Sequence, residues 1–198
     1  AGVYDAVETI AELRQSGNLA ELSVGRRVIV IGGGSTAIDI AVQSKKLGAE
    51  DVTLAYRRGP EQMSATWKEQ EFAQTNGVQV KHWLAPKSLQ SENGHVSGIE
   101  FECTTLNPQG KLTATGEIRN MEADVVFKAI GQTLVNTLDA AAEMPETEAG
   151  KIAVNAEYET SLAGVWAGGD CISSGEDLTV HAVEHGKQAA IAINRKLS

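Results

Sequence analysis

The stretch VIVIGGGSTAIDIA, residues 28–41, decides the fold of this chain. Its first four residues are a short β-branched run followed by glycines, which is typical of a strand buried on both faces of a parallel sheet. Residues 35–47 follow as a predicted helix, and residues 52–56 are a second predicted strand. The pattern therefore predicts a βαβ unit.

The turn between this strand and helix predicts a dinucleotide site. Its six residues have the spacing GxGxxA: Gly32, Gly33, Gly34, Ser35, Thr36 and Ala37. The first glycine permits a tight turn, the second lets a pyrophosphate approach the backbone, and the alanine allows close packing of helix on strand. Phosphates would lie on the free N–H groups and positive dipole of the helix start. Because strand, helix and second strand are all present, we favour this interpretation over a purely structural glycine turn.

The end of the second strand indicates which nucleotide is bound. An NAD site commonly has an acid there for the ribose 2′-hydroxyl, whereas this chain has Arg57 and Arg58. Two guanidinium groups can bind a 2′-phosphate bidentately, and the chain is otherwise acidic, with a net charge of −9. We therefore expect NADPH; the alternative is that the pair is merely a solvated strand end.

Composition argues against several other classes of protein. A hydrophobic content of 42% in 198 residues is ordinary for a globular protein, and the negative charge gives no general attraction to nucleic acid or anionic membranes. Cys103 and Cys171 have no CxxC spacing, which argues against an iron–sulfur ligand set, a zinc site or a disulfide scaffold. With no apolar run of transmembrane length and no signal peptide, we expect a cytoplasmic protein without nucleic-acid or membrane partners.

The rest of the chain predicts further elements of an α/β fold. The first half of the chain has a predicted helix over 3–15, a helix that begins with a Thr66–Glu69 capping box and ends near Asn76-Gly77, and a strand over 78–83. An antiparallel hairpin over 95–122 and a strand over 123–131 follow. The remaining predicted elements are a loop or weak helix over 136–150, a strand over 164–170 and a helix over 178–197. Together they predict a Rossmann-like parallel sheet with an antiparallel β excursion. The helix-like opening of the chain suggests a piece of a longer protein.

Five motifs carry a family resemblance: GGGSTAID, YRR, AIGQ (129–132), WAGGD (166–170) and LTVHAVEHGK (178–187). Together they resemble the pyridine-nucleotide-dependent flavoprotein reductases. Among these, the chain is most similar to the small subunit of glutamate synthase and to the flavin-bearing parts of dihydropyrimidine dehydrogenases. The resemblance covers essentially the whole chain.

The resemblance implies a second cofactor, FAD, and residues that contact it. By resemblance, Asp170 after Gly169 hydrogen-bonds the ribityl and phosphate region, and the backbone around Thr179 and Val180 points at the isoalloxazine ring. A helix N-terminus there would stabilise negative charge on a reduced flavin. The backbone around Gly131 would neighbour the nicotinamide. The alternative for the WAGGD segment is an ordinary strand–turn–helix.

A flavin site of this kind needs its own GxGxxG turn, but the chain has one such turn and it carries the arginines. We therefore expect residues 1–24 to be a connector helix from the FAD domain, 25–160 an NADPH-binding domain, and 161–198 the C-terminal segment of the FAD-binding domain. Such a chain would bind FAD poorly or not at all and would be inactive alone. One departure from the family is Ser35, which stands where the pattern usually has aspartate (GGGDTA).

The function implied is an electron-input module. Hydride would pass from NADPH to FAD, and electrons would leave through iron–sulfur centres to a partner such as a large catalytic subunit. Because the cofactors supply the reactivity, no catalytic acid or base is expected in this chain.

Two other functions are considered. A thioredoxin-reductase-like protein shares the glycine turn and paired arginines, but has a redox CxxC in the nicotinamide domain that Cys103 and Cys171 cannot supply. A non-catalytic nucleotide-sensing module would leave the WAGGD segment and its helix unexplained.

Several single residues remain open. Asp39 either contacts the nicotinamide end or binds its own helix neighbours. His181 and His185 have a metal-ligand spacing, but no third ligand is evident and no metal is expected. Met63 and Trp67 either flank the adenine or pack normally.

Overall fold

The fold is described from a computed structural model of the chain. It describes residues 1–19, 22, 24–132, 134, 143–175 and 178–198. These form two compact units, Ala1–Gly131 and Gln132–Ser198. Residues 136–142 of the predicted loop or weak helix over 136–150 lie outside the described residues. Within the described ranges, every helix is too short or too polar to cross a lipid bilayer.

The first unit is built on a five-stranded parallel sheet, as the βαβ pattern predicts. Its strands are β1 (Val3–Asp5), β2 (Arg27–Gly32), β3 (Asp51–Ala55), β4 (Gln79–Lys81) and, later in the chain, β8 (Val125–Ala129), and the order across the sheet is β1-β8-β2-β3-β4. The segment predicted to return to this sheet does so, since β8 pairs in parallel with both β1 and β2.

Helices cover one face of this sheet: α1 (Ala6–Gln15), α2 (Ser35–Lys46) and α3 (Trp67–Thr75). The alternation of β2 explains the arrangement, because Val28 and Val30 pack in the cluster that contains the helices, while Ile29 packs on the opposite face. Residues 3–15 are not helical throughout. The Asp5 carboxylate accepts a 2.9 Å hydrogen bond from the Val7 N–H, so the helix begins after Asp5 and the residues before it pair with β8.

An antiparallel sheet covers the other face of the parallel sheet. It consists of β5 (Leu84–Glu92), β6 (His95–Leu106) and β7 (Leu112–Glu122). Phe101 and Ile99 of β6 are fully buried and pack with Ile29 and Val126. The period-two pattern predicts β6 and β7 but misses β5, because seven of the nine β5 residues are exposed and show no apolar alternation. The α/β fold with an antiparallel excursion is thus confirmed.

The second unit contains a short hairpin of β9 (Thr147–Glu148) and β10 (Lys151–Ile152) and the long helix α4 (Thr179–Leu197). The strand predicted over 164–170 is wrong. Trp166 makes one isolated bridge, to Glu159, and the segment then enters a single 3₁₀ turn, Gly169–Cys171. The pairing therefore stops after one bridge, because the chain enters the 3₁₀ turn at Gly169.

Candidate dinucleotide site

Gly32 ends β2 and lies against the backbone of β8. Its φ is +153°, and a Cβ built there would stand 2.2 Å from the carbonyl oxygen of Ala129. No side chain fits at this distance, so the close approach of the two strands requires glycine. The first glycine of the motif is therefore fixed by the sheet itself.

Gly33 lies beneath the ring of Tyr56. A Cβ at Gly33 would meet that ring at 2.5 Å, and the Tyr56 hydroxyl donates a 2.6 Å hydrogen bond to the carbonyl of Gln62. The Gly33 carbonyl in turn accepts the N–H of Ala65 at 2.9 Å. The segment after β3 therefore folds over the glycine turn and is tied to it. Sequence reasoning missed this link; its signal is the aromatic residue that directly precedes the arginines.

Gly34 is the N-cap of α2 and provides no side chain to cap it. Its carbonyl accepts from the N–H groups of Ala37 and Ile38. The N–H groups of Ser35 and Thr36, at the first two helical positions, have no partner among the described residues. The start of α2 therefore fits an anion such as a pyrophosphate.

Arg57 and Arg58 follow the end of β3 and have backbones held in place. The hydroxyl of Thr104 donates to the Arg57 carbonyl at 2.6 Å, and the Trp83 N–H donates to the Arg58 carbonyl at 3.2 Å. In the part of the chain that the structure describes, neither guanidinium has an ion-pair partner.

A second arginine pair provides the contrast. Arg26 and Arg27, at the start of β2, are both neutralised: Arg26 by Glu50 at 2.9 Å, and Arg27 by Glu122 and by Asp124. Arginines at the amino-terminal edge of the sheet thus have acidic partners, whereas those at the carboxyl edge have none among the residues that the structure describes. Two adjacent unpaired cations in an acidic chain favour an anionic ligand there.

The predicted residues of the first unit come together at this carboxyl edge. In the parallel pairing of β2 with β3, Ile31 lies opposite Ala55, so the glycine turn and the arginines leave neighbouring strands side by side. Gly131, with φ +109°, follows β8, whose Ala129 pairs with Gly32. The carboxyl ends of neighbouring parallel strands are where nucleotides bind in such sheets.

Ser35 contacts α3 at the side of the turn. Its side chain lies close to the carboxylate of Glu69, which accepts a 2.6 Å hydrogen bond from the Thr66 N–H in the predicted capping box. Partial burial raises the pKa of Glu69, but the hydrogen bonds from Thr66, together with the nearby Ser35, outweigh it and leave the pKa below its ordinary value. Partial burial raises the pKa of Asp39, and Arg14 lowers it only in part. Neighbouring helix residues thus already surround both carboxylates.

In the second unit, Gly169 and Asp170 form the turn that the resemblance assigns to flavin. The φ of Gly169 is +84°, and its N–H donates a 3.0 Å hydrogen bond to Nδ1 of His185. Asp170 is exposed within the 3₁₀ turn. His185 therefore fixes the turn, a role that sequence reasoning missed when it considered the residue as a metal ligand. Among the described residues, no three His, Cys, Asp or Glu side chains converge as a metal site.

Thr179 and Val180 are exposed in the first turn of α4. The N-cap, Leu178, makes no side-chain hydrogen bond to the helix. The helix start thus remains open to a negatively charged group, which fits the chemistry of a reduced flavin. These residues and the glycine turn of the first unit belong to separate units.

Comparisons with known proteins place this geometry in a family. The sequence model of the pyridine nucleotide-disulphide oxidoreductases matches residues 2–186. The NADPH glutamate synthase small chain of Escherichia coli (strain K12) is 34% identical over 181 residues, which cover 85% of this chain and 38% of that protein. The NAD-dependent dihydropyrimidine dehydrogenase subunit PreT of the same strain is 31% identical over 192 residues, covering 97% and 42%.

A solved structure with the same fold is the thioredoxin reductase of T. acidophilum. Its TM-score is 0.77 at 19% identity, covering 100% of this chain and 58% of that one. At this identity the likeness concerns the fold.

The chain is thus an α/β protein with a Rossmann-like parallel sheet and a strand–glycine turn–helix unit. It belongs to the pyridine nucleotide-disulphide oxidoreductase family, which confirms the resemblance inferred from the motifs. It spans 38% to 42% of the length of these two curated relatives.

Proposed function

We propose that this chain is the NADPH-binding part of a flavoprotein oxidoreductase that passes hydride from NADPH to FAD and on to a partner subunit. The observation that carries the proposal is the pair of unpaired arginines beside the uncapped start of α2. An uncapped helix start takes a pyrophosphate, and two guanidinium groups take a further phosphate. NADPH carries both groups, one at each end of its adenosine ribose.

Each part of the glycine turn has a distinct task in this proposal. Gly32 lets β2 lie against β8, Gly34 leaves room for the pyrophosphate, and the N–H groups of Ser35 and Thr36 bind it. Ala37, which is fully buried, brings α2 close to the sheet. Tyr56 and Gly33 hold the turn in one conformation before the nucleotide arrives, which reduces the entropy lost on binding.

NADPH rather than NADH follows from Arg57 and Arg58. With NADH, both guanidinium groups would face an uncharged ribose hydroxyl and would contribute little binding free energy. With NADPH, each can bond an oxygen of the 2′-phosphate. The names of the relatives include both an NADPH and an NAD-dependent enzyme, so this choice rests on the arginines of this chain.

For the flavin we propose the division into a connector over 1–24, an NADPH-binding domain over 25–160 and an FAD-domain segment over 161–198. Gly169, Asp170 and the open start of α4 at Thr179 and Val180 would contribute to FAD binding. The backbone around Gly131 would lie near the nicotinamide. When bound, the flavin supplies the redox chemistry, and the side chains of this chain bind and orient the two cofactors.

Two further points belong to the proposal. The relatives' names describe a small chain and a subunit, which supports assembly with a larger catalytic subunit or iron–sulfur partner.

Cys103 and Cys171 are both free thiols, which fits a reducing cytoplasm.

The test is a calorimetric titration of the purified chain with NADPH and, separately, with NADH. The wild type should bind NADPH more tightly than NADH. Arg57→Gln/Arg58→Gln should weaken NADPH binding by at least tenfold and leave NADH binding nearly unchanged. Arg26→Gln, at the opposite edge, is the matched control and should change neither. Tighter binding of NADH by the wild type would contradict the cofactor assignment.

The flavin part has its own measurement. Added FAD should bind this chain weakly, and NADPH should not bleach it. A longer protein that contains this chain together with a second GxGxxG turn should instead be yellow and be reduced by NADPH. A colourless, reductase-inactive longer protein would contradict the electron-input function.

A further inference from the structure

Trp83 lies at the same edge of the sheet as the arginines. It follows β4, which ends at Lys81, and precedes β5, which begins at Leu84. In the parallel pairing of β3 with β4, Ala55 lies opposite Lys81, so the residues after each strand are neighbours. Trp83 therefore occupies the position next to the proposed 2′-phosphate site, on the side away from the glycine turn.

The backbone of Trp83 has an unusual conformation. Its φ is +63°, in the left-handed region that bulky residues rarely adopt. Hydrogen bonds on both sides hold it there, from the Trp83 N–H to the Arg58 carbonyl at 3.2 Å and from the Thr104 N–H to the Trp83 carbonyl at 2.9 Å. A strained, well-held aromatic residue beside a ligand site indicates a functional reason for its presence.

The indole ring covers the glycine that follows the arginines. A Cβ built at Gly59 would lie 2.6 Å from Cζ2 of Trp83, so glycine is what allows the ring to come so close. The ring is only partly buried. A flat aromatic surface thus stands directly beside the loop that presents two guanidinium groups.

We propose that the indole of Trp83 is the surface on which the adenine of the nucleotide stacks. The inference rests on the proposed function and adds its adenine subsite. Adenine is attached to the same ribose as the 2′-phosphate, so a phosphate bound by Arg57 and Arg58 places the base within reach of an adjacent ring. Stacking of a base on an aromatic side chain suits adenine, which has a flat π-face.

The two residues that the sequence suggested for this role are less well placed. Met63 is packed in the helix-side core, and its sulfur lies 3.4 Å from Nε2 of His82. Trp67 is 68% exposed at the start of α3, where Lys68 lies over its ring. Among the described residues, neither makes a backbone hydrogen bond to Arg57 or Arg58.

The experiment uses the whole chain with adenosine 2′,5′-bisphosphate, which has the adenine and the 2′-phosphate but no nicotinamide. Trp83→Asn removes the ring but tolerates the left-handed backbone, and Trp83→Phe keeps an aromatic surface. Binding should weaken about tenfold in Trp83→Asn and less in Trp83→Phe, in line with the usual strength of base stacking. Trp67→Asn is the matched control and should bind as the wild type does.

Unchanged binding in Trp83→Asn, or an equal loss in Trp67→Asn, would overturn the adenine subsite while leaving NADPH binding by the wild type intact. A wild type that binds neither NADPH nor the bisphosphate would overturn the proposed function as well. If Trp83→Asn does not fold, a Trp67→Phe/Trp166→Phe variant leaves Trp83 as the only tryptophan of the chain's three. Its fluorescence should then be quenched by the bisphosphate, and an unchanged signal would refute stacking.

Discussion

The hydroxyl of Thr104 donates a 2.6 Å hydrogen bond to the carbonyl oxygen of Arg57. Thr104 belongs to β6 of the antiparallel sheet and is buried, with 8% of its surface exposed. Arg57 follows β3 of the parallel sheet. One hydrogen bond thus connects the antiparallel excursion to the segment that we propose for phosphate binding, so the excursion positions the site as well as covering the core.

Thr104→Val tests this connection. The substitution keeps the shape of the side chain but leaves the Arg57 carbonyl without its partner, so the free energy of unfolding should fall by about 1–2 kcal/mol. NADPH binding should weaken several-fold, and NADH binding should hardly change. Urea unfolding and titration calorimetry measure the two effects. Thr105→Val, at the exposed neighbouring position, should change neither; a Thr104→Val protein with wild-type stability would refute the connection.

Alanine substitutions at Gly32 and Gly34 should have different effects, the first on stability and the second on NADPH affinity. Gly32→Ala places a methyl group against the Ala129 carbonyl at positive φ, and should cost about 3–5 kcal/mol of stability. At Gly34 the nearest atom to a new Cβ is Oγ of Ser64 at 3.1 Å, so Gly34→Ala should cost about 1 kcal/mol or less. Gly34→Ala should nevertheless lose most NADPH affinity. A folded Gly34→Ala protein with wild-type affinity would place the pyrophosphate elsewhere.

Ser35→Asp restores the residue of the family pattern but should be unfavourable here. The new carboxylate would lie near Glu69, and two like charges close together should lower the free energy of unfolding by about 1 kcal/mol at neutral pH. Acidification should reduce this loss, and so should the second substitution Glu69→Gln. Thr36→Asp, one residue further along the helix start, should be neutral or stabilising. The measurement is urea unfolding at two pH values, and a stabilised Ser35→Asp protein would contradict the contact.

Acid should weaken the first unit through Asp124. The hydrogen bond from Arg27 holds the pKa of this carboxyl below its ordinary value, so the unfolded chain takes up a proton more readily than the folded one. The stabilisation is present above the ordinary carboxyl pKa and is lost as the pH falls through the lower, folded pKa. Asp124→Asn should flatten this part of the stability profile. Glu50→Gln, which breaks the more exposed pair with Arg26, should leave it nearly unchanged.

The predictions from sequence succeed where the physical cause is local. The GxGxxA turn, the strand before it and the helix after it depend on neighbouring residues, and the structure has them at nearly the predicted bounds. The Thr66 capping box is also local, and its hydrogen bonds are present. The predicted end of the first helix at Gln15 is confirmed, but its predicted start is wrong, because pairing of Val3 with Val126 competes with helix formation there.

Features set by distant partners were missed or wrong. The strand β5 is exposed along most of its length, so no apolar alternation reveals it. The apolar run around Trp166 resembles a strand, yet its backbone pairs with the segment around Glu159 in one isolated bridge and does not extend into a ladder. The roles of Thr104 and Trp83 depend on contacts between segments far apart in the chain, for which one sequence gives no signal. The residues proposed for nucleotide binding are predicted from residue type and spacing, which a single sequence does contain.

The order of the strands also determines when the glycine turn can form during folding. The strand β8 is the last of the parallel sheet along the chain, yet it lies between β1 and β2. During synthesis, β1 must therefore wait for residues 125–129 before it can pair, and Gly32 waits for the same strand to supply Ala129. The loop between β1 and β8 is long, so its closure is slow. Completion of the sheet and the packing of Gly32 against Ala129 therefore take place together, late in folding. A ribosome-bound chain that stops short of β8 would accordingly lack the complete site that we propose for NADPH.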